Sequence, residues 1–158
     1  MARRCAAASK LLLLVLMLSL ATGQVHQHGE IVEWSARLSG NTETPAVNTA
    51  AMGKATAAFD FNTHTATITI ETHNLRNVRT IELRAERSLQ DVHGPAILIV
   101  YRAKDGSFSG SVRKIVAGPA FEEVAKTVLN GQGVVVVSTG AHPDGEIAGL
   151  IRMRKRNR

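Results

Sequence analysis

Most of this chain alternates apolar and polar residues with period two, the pattern of β-strands with one buried face. In residues 31–38, Val32, Trp34, Ala36 and Leu38 share one face, while Glu33, Ser35 and Arg37 share the other. Ala55, Ala57, Phe59 and Phe61 alternate with Lys54, Thr56, Ala58 and Asp60, and Ala66, Ile68 and Ile70 with threonines and Glu71. Ile81, Leu83 and Ala85 repeat the pattern opposite Glu82 and Arg84. Residues 96–101 and 134–137 are continuous apolar runs, which predict central strands covered on both faces. Ile147, Gly149, Ile151 and Met153 close the series.

Turn chemistry separates these runs at 62–64, 74–77, 93–95, 105–106 and 143–145, and residues 41–53 read as a long polar loop containing Pro45. One segment changes period. Across 119–130, Phe121, Val124, Ala125, Val128 and Leu129 fall at helical spacing, with Pro119 at the start and Gly131 at the stop. Glu122 and Glu123 complement the positive end of that helix, and Glu122 stands four residues before Lys126. Seven or eight short strands plus one short amphipathic helix predict an all-β fold, an antiparallel β-sandwich.

The first residues stand apart. Arg3, Arg4 and Lys10 precede the apolar run 11–20, and Ala21 and Gly23 supply small residues before Gln24. This is the layout of a signal peptide over 1–23. A run of that length is too short to cross a hydrocarbon core, which takes roughly 20 residues. The expected mature chain has a flexible start at 24–30, a domain at 31–153 and a basic tail at 154–158. No second run of spanning length follows, so no transmembrane anchor is expected and the chain is expected outside the cell.

Removing the leader changes the chemistry. The one cysteine, Cys5, goes with it, so the domain relies on its core rather than on disulfides. Of the 19 Lys and Arg, three lie in the leader and Arg152, Arg154, Lys155, Arg156 and Arg158 in the last seven residues. The remaining 11 face 13 carboxylates, so the high isoelectric point belongs to the two ends. The basic tail is a candidate for anionic surfaces or polysaccharide. The aromatics fall mostly on core faces, which leaves no stacking platform for bases, and nucleic acid is not an expected partner.

Catalytic signatures are weak. His64, His73, His93 and His142 are dispersed near turns, and no G-x-S-x-G or phosphate-binding glycine loop occurs. His142, Asp144 and Glu146 form either a weak hard-ion or acid–base cluster or a Pro-Asp-Gly turn entering a strand. If the mature chain begins at Gln24, its amine, two amides and His26, with His28 beside it, offer a weak nitrogen site for copper or nickel. No cofactor is otherwise expected.

Three stretches resemble one family. Leu38-Ser39-Gly40 with Glu43, Pro45 and Val47, then Gly53-Lys54-Ala55, is similar to the opening of the chordin-type (CHRD) domain. His93-Gly94-Pro95 resembles its central strand. Leu129-Asn130-Gly131-Gln132, the valine run, and Ala141-His142-Pro143-Asp144-Gly145-Glu146-Ile147 with Gly149 resemble its closing segment. The resemblance covers residues 31–152 and implies a secreted sandwich similar to the Cu/Zn superoxide dismutase barrel. Chordin, an extracellular binder of growth factors, carries this domain.

The family pattern places His-x-His at positions held here by Glu82 and Arg84, and a third His at Ser138. Three imidazoles there would resemble a metal site. Arginine has no lone pair to give and repels a cation, so this chain's residues would not make one. The closing motif also has Ala148 where the family usually shows Arg. Glu82 and Arg84 project on the same face and can pair, but with Arg79, Glu86 and Arg87 nearby an ordinary solvated strand face is expected.

These readings point to a non-enzymatic extracellular binding or structural module for a protein or polysaccharide. The candidate contact residues are Glu43 and Pro45 in the loop 41–52, Glu82, Arg84 and Glu86 on the charged strand, and His142, Asp144 and Glu146 in the closing loop. The alternative is a metal-binding or redox protein of superoxide dismutase-like fold, which would require His73, His93 and His142 to converge.

Overall fold

The computed structural model describes residues 31–86, 94–103, 108 and 110–153. Nine strands and one helix fill it: β1 (Ile31–Ser39), β2 (Met52–Asp60), β3 (Thr65–His73), β4 (Val78–Ala85), β5 (Ala96–Arg102), β6 (Ser111–Ala117), α1 (Pro119–Leu129), β7 (Gly133–Thr139), β8 (Ile147–Leu150) and β9 (Arg152–Met153). Every pairing is antiparallel. The strands follow one path, β5-β4-β7-β8-β1-β2-β3-β6, with β9 added to β1. The two end strands, β5 and β6, lie near each other, so the path folds back and nearly closes. The fold is therefore all-β, as the alternation predicts.

The inward faces of the two halves meet in one core. Trp34, Leu38, Phe59, Ile68 and Ile70 from β1–β3 pack with Ile81, Leu83, Val135, Val137 and Ile147 from the other half. The helix α1 adds Phe121, Val124 and Val128, all buried. Each fully buried side chain of this size contributes roughly 1.5–3 kcal/mol, which is how a domain without disulfides reaches net stability.

The helix ends as its sequence predicts. Gly131 takes φ of 69°, its N–H donates to Val128 O at 2.9 Å, and Gln132 N–H donates to Thr127 O at 3.0 Å. This pair of bonds satisfies carbonyls that the last turn leaves open. At the other end of the helix, His64 Nδ1 meets Glu122 Oε1 at 2.8 Å and the ring stands edge-on to Phe121. The β2–β3 turn that presents His64 is held by Asp60 Oδ1, which accepts from Asn62 N–H at 2.9 Å and Thr63 N–H at 3.2 Å. Those bonds hold the Asp60 carboxyl below its usual range.

Three sequence expectations need correction. The run 96–101 is an end strand, not a central one: Ala96 and Ile99 are exposed. Register shifts against β4 put an extra β5 residue at Val100 and at Ile97, so apolar residues crowd inward without a second covered face. Strand β6 was not foreseen. Its side facing the core carries Val112, Lys114 and Val116, and Ile115 points out at 65% exposure, so polarity and burial do not track. Phe61, Leu129 and Met153, assigned to apolar faces, are exposed at element ends. By contrast, residues 134–137 are completely buried in β7, between β4 and β8.

Candidate functional site

The outer face of β4, β7 and β8 holds the charged positions singled out in the sequence. Glu82 and Arg84 sit opposite Val136 and Val134, and Thr80 sits opposite Ser138. Residues in register share a face, so Glu82, Arg84 and Ser138 lie together on adjacent strands. The three positions form one locus, but its chemistry is closed. Arg84 Nη2 lies 3.0 Å and Nε 3.1 Å from Glu82 Oε2, with side chains only 17% and 14% exposed. The expected solvated face is thus a largely buried ion pair. The reason is its surroundings: Val134, Val136 and Ala148 form a second, fully buried apolar cluster on this same face.

The opening loop closes over the seam beside it. Gly40–Thr42 makes a single 3-10 turn, Val47 N–H donates back to Gly40 O at 3.0 Å, and Thr42 Oγ1 donates to the carbonyl of Ala148. That turn carries Glu43 inward, where it is 7% exposed. Its carboxylate rests against Gly145, where a β-carbon would stand 2.5 Å from Oε1. Oε1 is buried without a hydrogen-bond partner among the described residues. Burial pushes the Glu43 carboxyl up to about 7, against the pull of the nearby Arg84 guanidinium. The sequence predicts Glu43 as a contact residue of the opening loop; the structure buries it. Glu86 is also buried, with Gly94 packed close to its Cγ.

The closing loop is pinned rather than open. Glu146 Oε2 accepts from Thr139 Oγ1 at 2.7 Å, and Oε1 from Thr49 Oγ1 at 2.8 Å. His142 O accepts from Thr139 N–H and Gly145 N–H, which closes the Pro-Asp-Gly turn. Of the two readings of His142, Asp144 and Glu146, the structural turn accounts for these bonds. Thr44, Pro45 and Asn48 of the opening loop and Pro143 and Asp144 of the closing one are among the residues that stay at the surface.

Donor chemistry at Glu82, Arg84 and Ser138 does not fit a metal. Glu82 already binds a guanidinium, Arg84 is a fixed cation and Ser138 supplies a neutral hydroxyl. Among the described residues, no three His, Cys, Asp or Glu come together in a metal-holding arrangement. His73 lies exposed at the end of β3 and His142 in the closing loop. His93, His26, His28 and the tail cations Arg154, Lys155, Arg156 and Arg158 lie outside the described residues, while Arg152 is exposed on β9. No helix among the described residues is long and apolar enough to cross a membrane.

The sequence marks Glu43 as part of the opening motif but carries no signal of its burial. The structure gives the motifs a physical reason: Glu43 packs on Gly145, Gly40 lies against Val47 and Thr49, and Gly149 is so close to the Arg37 carbonyl that a β-carbon would stand 2.1 Å away. No curated protein and no solved structure matches the chain significantly. The family model described as the CHRD domain matches residues 34–151, from Trp34 in β1 to Ile151 after β8. The chain belongs to the CHRD domain family.

Proposed function

We propose that the chain is a secreted, non-enzymatic CHRD-domain module that presents the tips of its opening and closing loops to an extracellular protein or polysaccharide. The observation that carries this reading is the closed Glu82–Arg84 pair, at positions where the family resemblance implies imidazoles. A guanidinium bonded to a carboxylate offers neither an open ligand position nor an activated nucleophile. The loop tips, in contrast, are exposed polar segments held on a rigid sheet, the usual place for recognition. The signal-peptide layout of residues 1–23 supports export.

The test uses the secreted chain with a photo-crosslinking residue at Pro45 or at Asp144, and at Glu123 on α1 as a control. The reading predicts discrete crosslinked products on the secreting cell's surface or matrix from the two loop positions and none from Glu123. Equal labelling from all three positions, or none from any, overturns it.

A further inference from the structure

The outer face on the other half of the sheet carries a different pattern. Register places Arg152 (β9), Ser35 (β1), Thr56 (β2), Thr69 (β3) and Arg113 (β6) in one row across five strands. At about 4.8 Å between strands, that row is about 19 Å long, hydroxyls in its middle and a guanidinium at each end. The adjacent row holds Arg37, Lys54, Glu71 and Ser111. Arg37, Lys54, Arg113 and Arg152 are all exposed. None is ion-paired to a described carboxylate, although Glu33 and Glu71 stand on the same face.

Arg37 and Lys54 are direct cross-strand partners. Like charges in that relation destabilise a sheet; Glu71 stands across from Lys54 on its other side and offsets this for Lys54, whereas no described carboxylate pairs with Arg37. The chain also leaves the described fold at Met153, on the β1 side of this face, and the next five residues hold four more cations. A flat row of hydroxyls flanked by exposed cations complements a linear chain bearing both hydroxyls and negative groups.

From this arrangement we infer that the outer face of β9-β1-β2-β3-β6 binds an anionic extracellular polysaccharide, with Arg37, Lys54, Arg113 and Arg152 as its cation set. This inference rests on the module reading and names the partner class. It adds a second surface to the loop tips.

The probes are heparin for sulfated chains, polygalacturonate for carboxylated chains, and vesicles of anionic lipid. The secreted full chain is compared with Arg37→Ser/Lys54→Ser/Arg113→Ser, with a chain lacking residues 154–158, and with a control Arg102→Ser/Lys126→Ser. The triple variant is expected to lose at least about tenfold in affinity for one of the polysaccharides, with a salt dependence shallower by about two to three charges. The control is expected to lose less than about twofold. Arg37→Glu should weaken polysaccharide binding while leaving the melting temperature unchanged or raised, because it places opposite charge across from Lys54. A merely structural role would not separate those two readouts.

Loss confined to the tail deletion, equal loss in the control, or binding to vesicles that polysaccharide does not compete away overturns the inference. If polysaccharide binding fails while Pro45 and Asp144 still crosslink, this inference falls and the module reading stands. If both fail, the module reading falls as well.

Discussion

The Glu43 carboxylate lies against the Cα of Gly145, so close that a β-carbon there would stand 2.5 Å from Oε1 and 2.7 Å from Oε2. One residue comes from the opening loop and the other from the closing loop. Their contact buries a titratable group at the seam that joins the two ends of the domain, with Arg84 as the nearby counter-charge. The opening and closing motifs meet at this seam.

Burial of Glu43 makes stability depend on pH in a definite direction. Its carboxyl rises from 4.5 to about 7 on folding, so the folded chain holds that proton more tightly than the unfolded chain. The contribution is complete below about pH 4.5 and is lost as pH rises through about 7, a loss on the order of 3 kcal/mol at most. Urea unfolding of wild type and Glu43→Gln between pH 5 and 8 reads this directly. The variant should be the flatter of the two and the more stable at pH 8; identical slopes would contradict the assignment.

Gly145 tolerates its place because it has no side chain. Its φ of 151° is disfavoured for L residues, and the Glu43 carboxylate fills the space a β-carbon needs. Gly145→Ala should cost about 2–4 kcal/mol. Adding Glu43→Ala should recover at least about 1 kcal/mol of that, a coupling measured by a double-mutant cycle. Strict additivity would mean that the two loops do not share the contact.

Glu146 ties the same loops together through Thr49 and Thr139. Hydrogen bonds to a charged acceptor contribute more than neutral ones, so Glu146→Ala should cost about 2–3 kcal/mol. Thr49 Oγ1 also accepts from Ala51 N–H and Thr139 Oγ1 from His142 N–H, so Thr49→Val and Thr139→Val should each cost about 1–2 kcal/mol, and in the Glu146→Ala background only the part carried by the carboxylate should vanish. Undiminished effects in that background would show that the threonines act independently.

The stop of α1 offers a purely conformational test. Nothing lies within 4 Å of a β-carbon built on Gly131, so Gly131→Ala creates no clash. Its φ of 69° is still disfavoured for alanine, and a loss of about 1 kcal/mol is expected. A loss several times larger in thermal unfolding would point to contacts the geometry does not show.

Much of the fold was legible because burial followed alternation. In β1, Trp34, Ala36 and Leu38 are buried on the face the period predicts, and β2 and β3 continue it through Phe59, Ile68 and Ile70. The helix was legible from Pro119, its 3.6-residue period and Gly131. Strand β6 was not, because Lys114 occupies the face that should be apolar and Ile115 the face that should be polar. The candidate site was half legible. Period two placed Glu82 and Arg84 on one face, but their burial depends on Val134, Val136 and Ala148, distant in sequence and packed on that face only in the folded sheet. Glu43 was illegible for a similar reason: a glutamate in a polar, proline-containing loop is ordinarily solvated, and only the Gly40 turn carries it inward.

The proposed contact module rests most heavily on Glu82, Arg84 and Ser138, where a closed ion pair and a hydroxyl give a metal no set of donors. The most direct measurement is the transition-metal content of the secreted, dialysed chain lacking residues 24–28. The account predicts no stoichiometric metal. One equivalent per chain, retained through dialysis and released by His73→Ala or His142→Ala, would contradict it.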